Sequence, residues 1–137
     1  MAGCGGTLVS PTKVITAAHC ILLEYEGQIY SSQASEISVY VGIHNKDAVP
    51  PSNSIRVSSV VTHPQYNGGT FENDIAVVTL AQPIQFNDKI QPACLPDSGF
   101  PAYDQLIGKN VVITGWGDQW GGSNQGSDVL RQAKVGY

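Results

Sequence analysis

The sequence predicts an all-β protein, and three observations predict it. Charged residues make up 13% of the chain, about half the usual share of roughly 25%. Turn formers are plentiful, with 15 glycines and 8 prolines among 137 residues. The apolar residues fall in short Val/Ile/Thr-rich runs between these turn formers, a pattern of strands rather than of a helical bundle.

The elements follow in order. Gly6 to Ser10 and Lys13 to Ala17 are two short strands joined by the tight-turn signal Ser-Pro-Thr. Cys20 to Leu23 is expected to make one helical turn, and the polar stretch Glu24 to Glu36 a loop. Ile37 to Val41 alternates as a half-buried strand does. A second loop, Lys46 to Ser54, holds Pro50-Pro51. Ile55 to Thr62 reads as a strand closed by His63-Pro64, and Gln65 to Asn73 as a polar connection. Ile75 to Leu80 is apolar enough for a strand buried on both faces. Beyond Cys94 the character changes: residues 95–110 have little periodicity and read as a linker. Val111 to Thr114 opens a new strand, Gly115 to Gly126 is a glycine-rich mobile loop, and Val129 to Val135 is a last strand.

Several function classes are disfavoured. A net charge of −4 with seven Lys and Arg residues leaves no basic stripe for nucleic acid. No apolar stretch approaches the roughly 18 residues that cross a bilayer. The opening Met1-Ala2-Gly3-Cys4-Gly5-Gly6 has neither the basic nor the apolar region of a secretory signal. It reads as the middle of a longer chain, and three cysteines leave one without an internal partner if the other two pair.

The chemistry concentrates around one histidine. His44 stands at a strand end and His63 precedes a proline, and both read as ordinary structural residues. His19 differs, because an apolar run and two alanines lead to it and Cys20 follows it directly. A general base needs a partner that fixes its tautomer. Asp74, at the mouth of the apolar run 75–80, is the best-placed carboxylate, although its local sequence fits a turn aspartate bonded to its own backbone more readily. A zinc site is disfavoured: Cys4 and Cys20 lack the close spacing of paired ligands, and adjacent His19 and Cys20 are poorly placed to point at one metal.

Five segments taken together resemble the trypsin/chymotrypsin-like serine proteases: Cys4-Gly5-Gly6-Thr7-Leu8-Val9, Val14-Ile15-Thr16-Ala17-Ala18-His19-Cys20, Asn73-Asp74-Ile75-Ala76-Val77-Val78-Thr79-Leu80, Gln91-Pro92-Ala93-Cys94-Leu95-Pro96 and Thr114-Gly115-Trp116-Gly117. They occur in the family's order and span nearly the whole chain. The resemblance implies two antiparallel β-barrels: residues 1–94 as a first barrel lacking its first strand, 95–110 as the linker, and 111–137 as the start of the second. It implies His19 as general base, Asp74 as its orienter, and a Cys4–Cys20 disulfide. Such a bridge closes a loop of about 15 residues and is worth roughly 3 kcal/mol, and it would hold the histidine's backbone in place.

The same resemblance exposes what these residues do not contain. The family's serine follows the aspartate by on the order of ninety residues, and no Gly-Asp-Ser-Gly-Gly occurs here. Asp97-Ser98-Gly99 resembles it only in part and reads as a turn. The expectation is therefore part of a secreted serine endopeptidase, itself inactive, acting on protein or peptide substrates and needing no cofactor. In relatives with this "QPACLP" segment the cysteine pairs with an upstream pro-segment, which makes such a segment the expected partner of Cys94. The stretch Ile43 to Ser54, with Asp47 as its one acidic residue, is expected to hold no calcium, and Ile21 to Glu36 to carry an inserted loop beside the cleft. The competing reading is a non-catalytic, protease-like binding or regulatory module.

Overall fold

The computed structural model describes residues 3–99, 106–122 and 124–136. They form nine strands in order: β1 (Thr7–Leu8), β2 (Lys13–Thr16), β3 (Leu22–Tyr25), β4 (Gln28–Ser31), β5 (Ser38–Val39), β6 (Ile55–Thr62), β7 (Ala76–Leu80), β8 (Asn110–Gly115) and β9 (Arg131–Gly136). Short 3-10 turns are the helical content of the described residues, so the all-β expectation holds. Two compact units divide the chain. The first takes in residues up to Gly42 together with Pro51–Cys94, and the second takes in Ile43–Pro50 and residues from Leu95 onward.

The first unit is a curled, five-stranded antiparallel sheet in the order β1-β2-β7-β6-β5. The turn between β1 and β2 closes on Ser10, whose Oγ accepts from the N–H groups of Thr12 and Lys13 at 3.3 and 3.0 Å. Strand β7 is central. It pairs with β2 from Lys13↔Thr79 to Thr16↔Ala76 and with β6 from Val57↔Leu80 to Thr62↔Ala76. Ser58 is the extra residue of a bulge in β6, and its hydroxyl donates to the carbonyl oxygens of Thr79 and Leu80. Alternate residues of β7 face one core: Ala76, Val78 and Leu80 are buried with Val14, Ile21 and Val57. Val77 and Thr79 on the opposite face are only half-buried, so the strand is not covered equally on both sides. Its core face is what the period of two dictates.

The expected helical turn at 20–23 and the loop at 24–36 are corrected. The 3-10 turn comes earlier, at Ala18–Cys20, and β3 and β4 pair as a hairpin from Leu22↔Ser31 to Tyr25↔Gln28. Its two-residue turn is Glu26-Gly27, with φ of 52° and 75°. Positive φ at both turn residues matches the right-handed twist of hairpin strands. Glycine meets that need freely, and glutamate in place of Asn or Asp hides the signal.

In the second unit β8 and β9 pair antiparallel from Asn110↔Gly136 to Gly115↔Arg131. The stretch 43–50 joins them through its backbone. The His44 carbonyl accepts from Trp116 Nε1 at 3.0 Å and from the Leu130 N–H at 2.8 Å, and the Lys46 N–H donates to the Asp128 carbonyl. The glycine-rich loop after Gly115 is tied at Asp118, whose carboxylate accepts from the N–H groups of Asn124 and Gly126. Part of the expected linker, residues 100–105, lies outside the described residues.

Candidate active site

His19 and Asp74 are 55 positions apart in the chain and in contact in the fold. The pairing of β2 with β7 explains why. Thr16, the last residue of β2, lies opposite Ala76, the first of β7. From Thr16 the chain passes Ala17 and enters the turn at Ala18, which is fully buried; a larger side chain there would overpack the core. The next residue is His19. From Ala76 one step back through Ile75 reaches Asp74. Both side chains therefore emerge at the same end of the same strand pair.

The carboxylate grips the histidine twice. Asp74 Oδ1 accepts the His19 backbone N–H at 2.9 Å, and Oδ2 lies 2.6 Å from His19 Nδ1. An ionised carboxylate is an acceptor only, so Nδ1 carries a proton directed at Oδ2. Nε2 has no bonding partner among the described residues, and the imidazole is 50% exposed against 22% for Asp74. The hydrogen bond from the His19 backbone, then the one from its ring, hold the Asp74 carboxyl below the usual aspartate value; partial desolvation opposes them, and the His19 charge and the Ala18 N–H assist. The site thus holds a carboxylate bonded to Nδ1 of an imidazole whose Nε2 is open among the described residues. Such a pair can take a proton at Nε2 and stabilise the resulting cation.

Around this pair stand residues that the sequence did not single out. The Phe71 ring meets the imidazole edge to face, with centroids 6.0 Å apart and planes at 85°. The Tyr66 phenol is pushed above its usual range by desolvation, then by the Asp74 charge, then by Glu24. An aromatic residue in the glycine-rich stretch just before the aspartate was the available signal for Phe71.

The remaining expected residues also have definite places. Cys4 and Cys20 are joined, with Cα atoms 6.2 Å apart, directly beside His19. The sulfurs of Cys4 and Cys20 and a ring nitrogen of His19 cluster tightly, but the bond between the sulfurs leaves no thiolate to offer a cation. Cys94 is free and exposed; beside it, the Ala93 N–H donates to the Leu8 carbonyl and ties this segment to β1. His63 Nδ1 accepts from the Gln65 N–H at 3.1 Å, and His44 serves through its carbonyl. Neither joins the His19–Asp74 pair. Among the described residues no helix is long and apolar enough to cross a membrane.

Comparison with known proteins identifies the family. The model of the family described as "Trypsin" matches residues 1–137. The chain is 40% identical over 123 residues to a trypsin of Phaedon cochleariae, covering 89% of this chain and 43% of that protein. It is 34% identical over 132 residues to the clotting factor G beta subunit of Tachypleus tridentatus, covering 96% and 40% respectively. With phenoloxidase-activating factor 3 of Holotrichia diomphalia it shares 35% identity over 125 residues, covering 84% and 34%. The chain thus spans less than half the length of these relatives. A family match across every residue, together with the all-β architecture, shows that this chain belongs to the trypsin family of serine proteases.

Proposed function

We propose that these residues furnish the general base and its orienting carboxylate in a serine-type endopeptidase that cleaves proteins or peptides through an acyl-enzyme. The observation that carries the reading is the double grip of Asp74 on His19, one bond to the backbone and one to Nδ1. It presets the tautomer and aims Nε2 away from the carboxylate, as a base for a serine hydroxyl requires. That serine lies on sequence outside these 137 residues, in keeping with the absence of Gly-Asp-Ser-Gly-Gly and with relatives more than twice as long as the match. Residues 1–94 act as the first barrel, 95–110 as the connection, and 111–137 as the start of the second. The disulfide beside the base supports secretion, because such bonds persist in oxidising compartments. The free, exposed Cys94 supports a covalent link to an upstream pro-segment.

The test compares two forms of the protein on a peptide library. The 137-residue chain is expected to cleave nothing. A form extended with the sequence encoded downstream is expected to hydrolyse peptides and to lose that activity on His19→Ala. Peptide hydrolysis by the short chain that survives His19→Ala would overturn the reading. A downstream sequence lacking a serine loop would favour the binding-module alternative.

A further inference from the structure

Asn67-Gly68 is the one Asn-Gly pair in the chain, and the function proposed above makes no use of it. The pair carries chemistry of its own, because the backbone nitrogen after an asparagine can close a five-membered ring on that residue's Cγ. Glycine leaves this nitrogen unshielded by a Cβ. A Cβ on Gly68 would come within 3.1 Å of Glu24 Oε2 on β3 and 3.8 Å of the Tyr66 hydroxyl, so this corner of the loop favours glycine on packing grounds as well.

The fold adds what the sequence lacks. Asn67 Oδ1 accepts from the N–H groups of Gly69 and Thr70 at 2.9 and 3.3 Å. When the Gly68 nitrogen attacks Cγ, negative charge develops on that same oxygen, and donors already aimed at it lower the barrier. Asn67 is equally central to closing the loop. Its carbonyl accepts from the Phe71 N–H at 2.8 Å, and its N–H donates to the Glu72 carbonyl at 3.0 Å. Two residues after Glu72 the chain reaches Asp74.

We propose that Asn67 is a site of spontaneous deamidation, promoted by the Gly69 and Thr70 N–H groups, and that its isoaspartyl product opens the 67–73 loop ahead of Asp74. In the first step the bond from Gly68 N to Asn67 Cγ forms and the Cγ–Nδ2 bond breaks. The Nδ2 amino group leaves with the Gly68 amide proton as ammonia. Water then opens the cyclic imide. Cleavage at Cγ restores an ordinary chain with aspartate at 67, which keeps Oδ1 as an acceptor. Cleavage at the former backbone carbonyl sends the chain through Cβ and Cγ and turns that carbonyl into a carboxylate, which removes the main-chain acceptor of the Phe71 N–H. Either product adds a negative charge to a corner that already holds Glu24 and Glu72. The reaction is intramolecular, and it holds whether or not His19 and Asp74 act as a catalytic pair.

The whole chain is incubated at mildly alkaline pH, native and in guanidinium chloride, and conversion at Asn67 is followed by peptide mapping with mass spectrometry. The native chain is expected to convert about 10-fold faster, the effect of one well-placed hydrogen bond to a charged oxygen. An equal or slower native rate overturns the promotion by the loop. Gly68→Ala is expected to slow the conversion; Gly68 has no positive φ, so alanine fits its backbone. After hydrogen exchange and digestion, isoaspartyl and aspartyl peptides separate by chromatography and report on their own parent molecules. The Phe71 amide is expected to exchange about 10-fold faster in the isoaspartyl form, through loss of one hydrogen bond, and at the wild-type rate in an Asn67→Asp variant. Wild-type protection in the isoaspartyl form overturns the opening of the loop.

Discussion

The two units of this chain are held by different forces. The first buries apolar side chains: Val14, Ala18, Ile21, Val57, Ala76, Val78 and Leu80 are all shielded, with β7 paired on both sides. The second is held by backbone ladders and polar ties, and its one buried residue among those described is Ser127. On β8, Val112 and Ile113 are 62% and 55% exposed. A two-stranded ribbon without a covered face is marginal in water. His19 and Asp74 belong to the first unit, at the end of its most enclosed strand. Residues that must hold a geometry within a fraction of an ångström rest on packed elements, and here the packed element is β7.

The contrast can be broken by mutation. The largest effect is expected in the core: Leu80→Ala should destabilise the chain by about 2–5 kcal/mol in denaturant unfolding. Replacing Cys4 and Cys20 by serine together should cost about 3 kcal/mol by the entropy of a closed loop of this length, and should increase mobility at His19 in NMR relaxation. A smaller effect is expected from acid. Asp74 is held below its ordinary value of 3.8 in the fold, so its contribution is fully present above that pH and is lost as pH falls through the lower folded value. Asp74→Asn should accordingly flatten the stability curve on its acid limb. The smallest effect is expected on β8, where Ile113→Thr should stay within about 0.5 kcal/mol in the same unfolding assay. An Ile113→Thr change as damaging as Leu80→Ala would show that both units depend on apolar burial alike.

Much of the first unit was legible in the sequence. Residues 55–62 end on the closing signal His63-Pro64 and form β6 at those bounds, and the apolar run 75–80 becomes β7 less its first residue. The β3–β4 hairpin was not legible, because Glu24 and Glu26 make it polar and its turn hides behind a glutamate. The site was legible only through resemblance. Nothing in the spacing of His19 and Asp74 announces their contact, which follows from a strand register that exists only in the folded sheet. Phe71 was less legible still, since its backbone conformation depends on hydrogen bonds to Asn67 that no local pattern specifies.

The opposition of Thr16 and Ala76 has an evolutionary consequence. Long-range loop closure costs little more as a loop lengthens, so descendants of this chain are free to gain or lose residues in the connections between strands, such as 40–54 between β5 and β6. Three positions lack that freedom: Ala17 and Ala18 after β2, and Ile75 before β7, span the gap from the paired residues to His19 and Asp74. An insertion or deletion of a single residue there would uncouple imidazole from carboxylate while every strand stayed in place.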